Sequence, residues 1–401
     1  MASNSTLAGT GLKLGILASH PIQYQAPLFR ELAKRCELLV YYVQRQTPQA
    51  QGAAGFGVGF EWDVDLLSGY TYQFLDNVSA KPDTGTFFGC DTPGIAKEIQ
   101  TGAFDAFLVM GWHLKSFWQA VRQCRRQGVP VMVRGDSQLA SPRSRVKRAV
   151  KAVLYPWVIR QFDACLYVGQ RNRAYLEHYG AQEHRLFFSP HCVDTEAFAA
   201  AAAKADRGAV RAGWRLSEHD QAVLFAGKLV ARKRPADLVQ AVAQLRSEGR
   251  SVVIVWAGDG PERNALDFLA KSLHVPTVFL GFCNQTELPA IYRSADVLAL
   301  PSDGSETWGL VVNEAMACGT PCVVSDACGC APDMIPGKAG SGIFPLGDVA
   351  AFARALATVL AAPPAQAAIK GVSEAHSLSA AAAGIMECAV KLTGRILQVR
   401  A

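Results

Sequence analysis

Two glutamates, two lysines and a glycine at the start of a helical run form a set that could hold a phosphate-linked sugar. Glu306 and Glu314 lie in DGSETWGLVVNEAMACGTP (303–321), one in a loop and one about a turn into the run GLVVNEAMACG, with Trp308 and Gly309 between them. A carboxylate can accept two hydrogen bonds from adjacent hydroxyls, as on ribose or a hexose. Free N–H groups near Gly309, Leu310 and Val311 would form an anion site that the helix dipole strengthens. Lys228 and Lys233, in GKLVARKRP after the apolar run VLFAG, are point charges suited to phosphate oxygens. Taken singly, each feature has a plainer explanation: a basic turn facing water, a loop acid, an acid favoured by the dipole. Taken together, they describe two sugar-like rings gripped on either side of a pyrophosphate, as in a nucleotide diphosphate sugar. Gly258, in WAGDGP, lets the backbone approach something flat or charged. That stretch lacks the third glycine of a dinucleotide fingerprint, which argues against a dehydrogenase.

The elements that position these residues repeat along the chain. LKLGILA, LLVYYV, FDAFLVMG, VPVMVRGD and FDACLYVG are short apolar runs separated by helical patterns, including one from Lys115 to Arg126. After a break the rhythm restarts with AVLFAGKL, SVVIVWAGDG, VPTVFLGF, ADVLALPS and TPCVVSD. Short buried strands alternating with helices predict parallel sheets, one per half, facing across a cleft at the carboxyl ends of their strands. The fold class expected is α/β with two Rossmann-like domains, 1–200 and 209–373. The alanine-rich 195–208 is taken as the linker, and the helix 374–401 is expected to pack back toward the first domain.

Composition narrows the class. The chain has 401 residues, half of them apolar and 18% charged, which suits a folded two-domain enzyme. Net charge is only +6, but PRSRVKRAVKAVLYPWVIR (142–160) carries six basic residues and no acid. Val146, Val150, Leu154 and Trp157 recur there at helical spacing. Such a helix either lies on an anionic membrane surface or packs one face on its own domain, and the sequence supports the two equally. No nucleic-acid motif accompanies it. The eleven cysteines suggest reduced thiols. Cys318, Cys322, Cys328 and Cys330 cluster without the paired hooks that zinc prefers, so small buried thiols are expected instead. The opening MASNSTLAGTGLKLG has no charged region leading into an apolar run, and no signal peptide or membrane span is expected.

PSDGSETWGLVVNEAMACGTPCVVSDACG resembles the glutamate–seven–glutamate motif of the family-4 retaining glycosyltransferases, which have the GT-B fold. GKLVARKRP, WAGDGPERNAL and FLGFCNQTELPAIYRSADVLALPS are similar to that family in order and spacing, and the resemblance covers 220–350 closely. It continues upstream through the segment ending SPHCVDTEAF, where SPHCVD stands in place of the common PNGVD. The resemblance implies that Glu306 contacts the transferred sugar, that Glu314 holds the ribose hydroxyls, and that Lys228 and Lys233 neutralise the diphosphate. Gly309 and Leu310 would offer backbone amides, with Trp308 beside them, and Phe282 would lie near the base. Many members have arginine where Lys228 stands; lysine keeps the charge and loses the fork.

The first half departs from the family. A glycine-rich opening loop is common there; this chain has SHPIQYQAPLF, which places His20, Gln23 and Gln25 at the end of the first strand, facing the cleft. A histidine often follows the strand equivalent to PVMVRGD; here Asp136 takes about that place with Arg134 beside it, and His113 follows the preceding strand. These residues serve either chemistry and the acceptor side or local capping. Asp63-Val-Asp65 spells a D-x-D triplet that could hold a divalent ion, but lysines and helix amides would make a metal unnecessary. The expected reaction is metal-independent, cofactor-free transfer of a hexose from a nucleotide diphosphate sugar to a hydroxyl of a glycan or lipid-linked acceptor. The implied setting is cell-envelope polysaccharide or glycolipid assembly on the cytoplasmic side, peripheral at the inner membrane face. A nucleotide-sugar epimerase and a non-catalytic nucleotide-sugar-binding protein are the alternatives.

Overall fold

The computed structural model describes residues 11–45, 61–335 and 342–394. Most of the opening stretch read for a signal peptide, and the end of the C-terminal segment from 395 on, lie outside the described residues. Seven strands make the first sheet: β1 Lys13–Ala18, β2 Glu37–Tyr42, β3 Thr71–Phe74, β4 Ala106–Val109, β5 Val131–Gly135, β6 Ala164–Tyr167 and β7 Leu186–Phe188, in the order β3-β2-β1-β4-β5-β6-β7. Six make the second: β8 Gln221–Ala226, β9 Val252–Ala257, β10 Thr277–Gly281, β11 Val297–Leu300, β12 Cys322–Ser325 and β13 Ile343–Phe344, ordered β10-β9-β8-β11-β12-β13. Every ladder is parallel, with registers such as Leu14↔Leu38 and Val223↔Ile254.

The central strands are apolar without alternation because helices cover both faces. All six residues of β9 are buried, as are the last five of β1 and β8. In each sheet the strand order reverses beside the first strand, β1 or β8. Chains leaving the sheet on either side of that point diverge and leave a crevice at the carboxyl ends. The two crevices face one another.

The stretch taken as a linker, 195–208, is helical. Alanine carries the smallest helix cost, and two aspartates start the turns. Asp194 Oδ1 accepts from the Ala197 amide at 3.0 Å and Asp206 Oδ1 from the Ala209 amide at 3.0 Å. Helix Thr195–Lys204 packs Phe198 and Ala202 into the second half's core with Leu224, Tyr292 and Met316, so the chain crosses between halves just before it. The final helix, Leu378–Thr393, crosses back. It buries Ala381, Ala382, Ile385, Met386 and Cys388 against Leu14, Phe29 and Leu166 of the first half. Ile385 and Met386 alone contribute roughly 1.5–3 kcal/mol each. Gly384 permits the approach, since a Cβ there would sit 1.8 Å from the Phe188 carbonyl oxygen.

Candidate active site

The second-half wall is built where β11 ends. The chain loops from Leu300 to Gly309 and enters helix Leu310–Ala317. Gly309 has φ +109°, a backbone state that disfavours side chains, and a Cβ there would lie 2.7 Å from a Leu300 methyl. No side chain caps this helix and no acid occupies its first turn, so the leading amides, which have no intrahelical acceptor, point their partial positive charge toward the cavity that Gly309, Leu310 and Val311 line.

Lys233 ends the short 3-10 turn Ala231–Lys233, and its Nζ lies 2.6 Å from Glu306 Oε2. The Ser302 hydroxyl donates to the same oxygen at 3.4 Å. Burial pushes the Glu306 carboxyl up, but Lys233, Arg232 and Ser302 outweigh it and hold Glu306 below its usual range. Glu314 behaves differently. It is buried, the Tyr292 hydroxyl donates to its Oε2 at 2.6 Å, and burial dominates, raising its carboxyl to about 7. Lys228 is half-buried; burial, then Arg232 and Lys233, lower its ammonium from the ordinary lysine value. An anion placed among these three cations would relieve that repulsion.

The first-half wall contributes Gln23, Tyr24, Trp62, Asp136 and His191, enclosing with the second half a cavity of about 280 Å³. Bonds cross the cleft. Asp136 Oδ2 accepts from the Thr307 hydroxyl at 2.6 Å. The Gln138 amide donates to the carbonyls of Gly304, Glu306 and Ala327 at 3.1, 2.9 and 3.2 Å. The backbone that carries Glu306 is therefore held from the opposite domain.

Of the residues singled out in the sequence, Gln23, Asp136, Lys233, Gly258, Phe282, Glu306, Trp308, Gly309, Leu310 and Glu314 meet around this one cavity. Lys228, His20, His113 and Arg134 are not among its lining. His20 pairs with the Ser19 hydroxyl at 3.1 Å, and burial lowers its pKa to about 4. His113 packs edge-on against Phe117 and is shifted down by burial. Arg134, expected on the acceptor side, does not line the cavity. Its guanidinium is buried and donates to the Ser189 hydroxyl and to the carbonyls of Ser189 and Pro190, bracing the crossing segment. Gln25 is also buried, behind Tyr24.

Asp63 and Asp65 do not converge. Asp63 Oδ2 accepts from the Thr286 amide at 3.1 Å and from its hydroxyl, while Asp65 Oδ1 accepts from the amides of Leu67 and Ser68. Asp63 thus joins the two halves, helped by Asn284, whose amide donates to the Glu61 carbonyl at 2.8 Å. Among the described residues no group of three His, Cys, Asp or Glu side chains is placed to hold a metal ion. Cys318, Cys322, Cys328 and Cys330 are buried thiols, raised by burial.

His191 is the residue that sequence reasoning passed over. Its ring meets Tyr24 edge-on at 5.2 Å and Trp308 at 5.8 Å, and its carbonyl accepts from Asn313, which in turn accepts from the Trp308 indole. Burial, then Arg134, push its pKa far down, so the imidazole is neutral. The one signal available was SPHCVD itself, a histidine standing in the segment that leads between the halves. Tyr24, Tyr292 and Gln138 had no sequence signal, since each acts through a distant partner.

Residues 206–374 match the family described as Glycosyl transferases group 1. The chain is 30% identical over 222 residues to a 2-deoxystreptamine glucosyltransferase of Streptomyces kanamyceticus, covering 55% of this chain and 57% of that protein. It is 36% identical over 145 residues to a glycogen synthase of Mycobacterium tuberculosis, covering 36% and 34%. The chain thus spans about half, or less, of the curated relatives it matches. In three dimensions the likeness extends over nearly the whole chain. Anabaena Alr3699/HepE in complex with UDP and glucose aligns with TM-score 0.64 at 16% identity, covering 94% of this chain and 98% of that one. A Rickettsia africae glycosyltransferase aligns with TM-score 0.70 at 12% identity, covering 95% and 98%. The architecture is the GT-B fold, and residues 206–374 of its second half are similar to the group 1 glycosyl transferases.

Proposed function

We propose that this protein is a glycosyltransferase that moves a hexose from a nucleotide diphosphate sugar to an acceptor hydroxyl, with retention at the anomeric carbon and without a metal. The observation that carries the reading is one cavity in which the Lys233–Glu306 pair, Glu314 and the uncapped start of helix Leu310–Ala317 converge opposite Asp136 and His191. As the glycosidic bond breaks, negative charge grows on the departing phosphate while the sugar takes on oxocarbenium character. Lys233 and the amides at Gly309 and Leu310 stabilise that phosphate, with Lys228 adding positive charge from behind Lys233, an electrostatic role. Glu306 contacts the transferred sugar, Glu314 the ribose hydroxyls, and Phe282 and Gly258 border the base. Asp136 and Gln23 face the acceptor, a glycan or lipid-linked hydroxyl of envelope assembly. Bonds across the cleft keep water from the reacting centre. Structures of one neighbour, Anabaena Alr3699/HepE, hold UDP or UDP-glucose, so uridine is the expected base.

Thermal unfolding with uridine and guanosine diphosphate sugars tests the donor site. A UDP-sugar should raise the midpoint, because a ligand bound only by the folded state stabilises it. A midpoint unmoved by every nucleotide sugar would remove the proposal. Product formation that persists in a chelator supports metal independence. Donor turnover that needs no acceptor and returns an isomerised sugar would favour an epimerase instead.

A further inference from the structure

We propose that helix Arg145–Arg160 is a docking surface for an anionic lipid bilayer. Val146, Val150, Val153, Leu154 and Trp157 fall within an arc of roughly 100° on this helix. On a helix packed in a water-soluble domain such an arc faces the core. Here it faces outward: the five side chains are 72, 56, 84, 47 and 54% exposed. The helix is attached by its opposite side and its end. Val158 and Ile159 are buried, Tyr155 meets Trp112 and Tyr179, and the Lys151 ammonium donates to the Tyr175 hydroxyl at 3.4 Å. Trp157 is held in place by stacking on Trp118, 5.6 Å away and nearly parallel.

Charge decides the occupant. Arg145 and Lys147 flank the arc at one end and Arg160 at the other, and no acid occurs from 142 to 160. An outward apolar arc, bordered by cations and carrying a tryptophan, has the chemistry of a helix lying in the headgroup layer of an anionic leaflet. A second copy of the chain is disfavoured, because pairing like faces would set one acid-free basic helix against another. The position also suits the site. The loop from Asp136, which lines the cavity, through Gln138, which grips the Glu306 backbone, leads directly into Ser144, the N-cap of this helix. That the docked face serves a lipid-linked acceptor rests on the transferase reading; the docking itself does not.

The test is co-sedimentation of the full chain, without nucleotide, with vesicles of phosphatidylcholine alone or mixed with phosphatidylglycerol. Binding should need the anionic lipid and weaken with salt. Arg145→Gln and Lys147→Gln should each weaken it about fivefold, and Val153→Asp by roughly tenfold or more. Emission from Trp157, isolated by difference from Trp157→Phe, should shift to the blue on binding. Equal binding to neutral vesicles, or unchanged binding by these exposed-site variants, would overturn the proposal. So would a doubled mass in solution, abolished by Val153→Asp, with no vesicle binding. UDP-induced stabilisation of Val153→Asp should match that of the wild type, so failure of the lipid assay and failure of the donor site are read separately.

Discussion

Glu314 is surrounded by protein, and its carboxyl titrates near 7 because burial outweighs the hydrogen bond from Tyr292. Two opposite pH trends follow. The folded pKa lies above the ordinary value of 4.5, so the group favours folding below that pH and the contribution is lost as pH rises through about 7. The unliganded melting temperature should therefore fall across that window relative to Glu314→Gln. Only the ionised carboxylate can accept two ribose hydroxyls, so UDP affinity should rise over the same window. Titration calorimetry should give an affinity at pH 6 lower by roughly tenfold than at the plateau, and Glu314→Gln should bind weakly at every pH. Lys233 is a second case. Its removal in Lys233→Ala leaves the buried Glu306 carboxylate without its 2.6 Å partner, which should cost about 3 kcal/mol in denaturant unfolding. Transfer should fall by a factor on the order of 10²–10³ for want of a leaving-group cation. Wild-type turnover in Lys233→Ala would remove the residue from the mechanism.

At the scale of the element, the decisive unit is β11, its loop and helix Leu310–Ala317. The loop returns Glu306 to Lys233, and Gly309 then turns the chain so that the helix amides meet the cavity. Gly309→Ala would force a methyl against Leu300 at a backbone angle alanine rarely adopts. The expected cost is about 1–3 kcal/mol of stability, with UDP affinity reduced more than the far-ultraviolet circular dichroism, which should be unchanged. If UDP binds Gly309→Ala as it binds the wild type, the amides at this turn do not hold the diphosphate.

For the whole molecule, polar bonds cross the cleft beside the apolar contact of Val168 with the second half's core. Gln138, Asp136 with Thr307, Asp63 with Thr286, and Gln170 with Asp333 each join the two halves. Bonds of this kind contribute about 1 kcal/mol apiece, weak enough to release and strong enough, together, to close. Gln138→Ala removes three of them at one point. Its kcat/KM should drop by roughly tenfold, with UDP affinity little changed, and small-angle scattering should report a larger mean radius. A scattering curve and rate equal to wild type would show that Gln138 does not couple closure to the site.

The local chemistry was legible in the sequence. Apolar runs separated by helical patterns determined two parallel sheets, because strands buried on both faces must be apolar throughout. Gly258, Gly309, Lys233, Glu306 and Glu314, all close to strand ends, marked the second-half wall of the cavity, since a parallel sheet delivers its strand ends to one edge. Only the tertiary structure decided what depends on partners remote in the chain. Arg134 became a brace because Ser189 and Pro190 lie across from it. His191 entered the cavity because Tyr24 and Trp308 close around it. The alanine-rich 195–208 proved to be capped helices belonging to the second core. The basic helix turned its apolar arc outward, a choice that periodicity cannot make: spacing tells which residues share a face, and only the surrounding chain determines whether that face is covered.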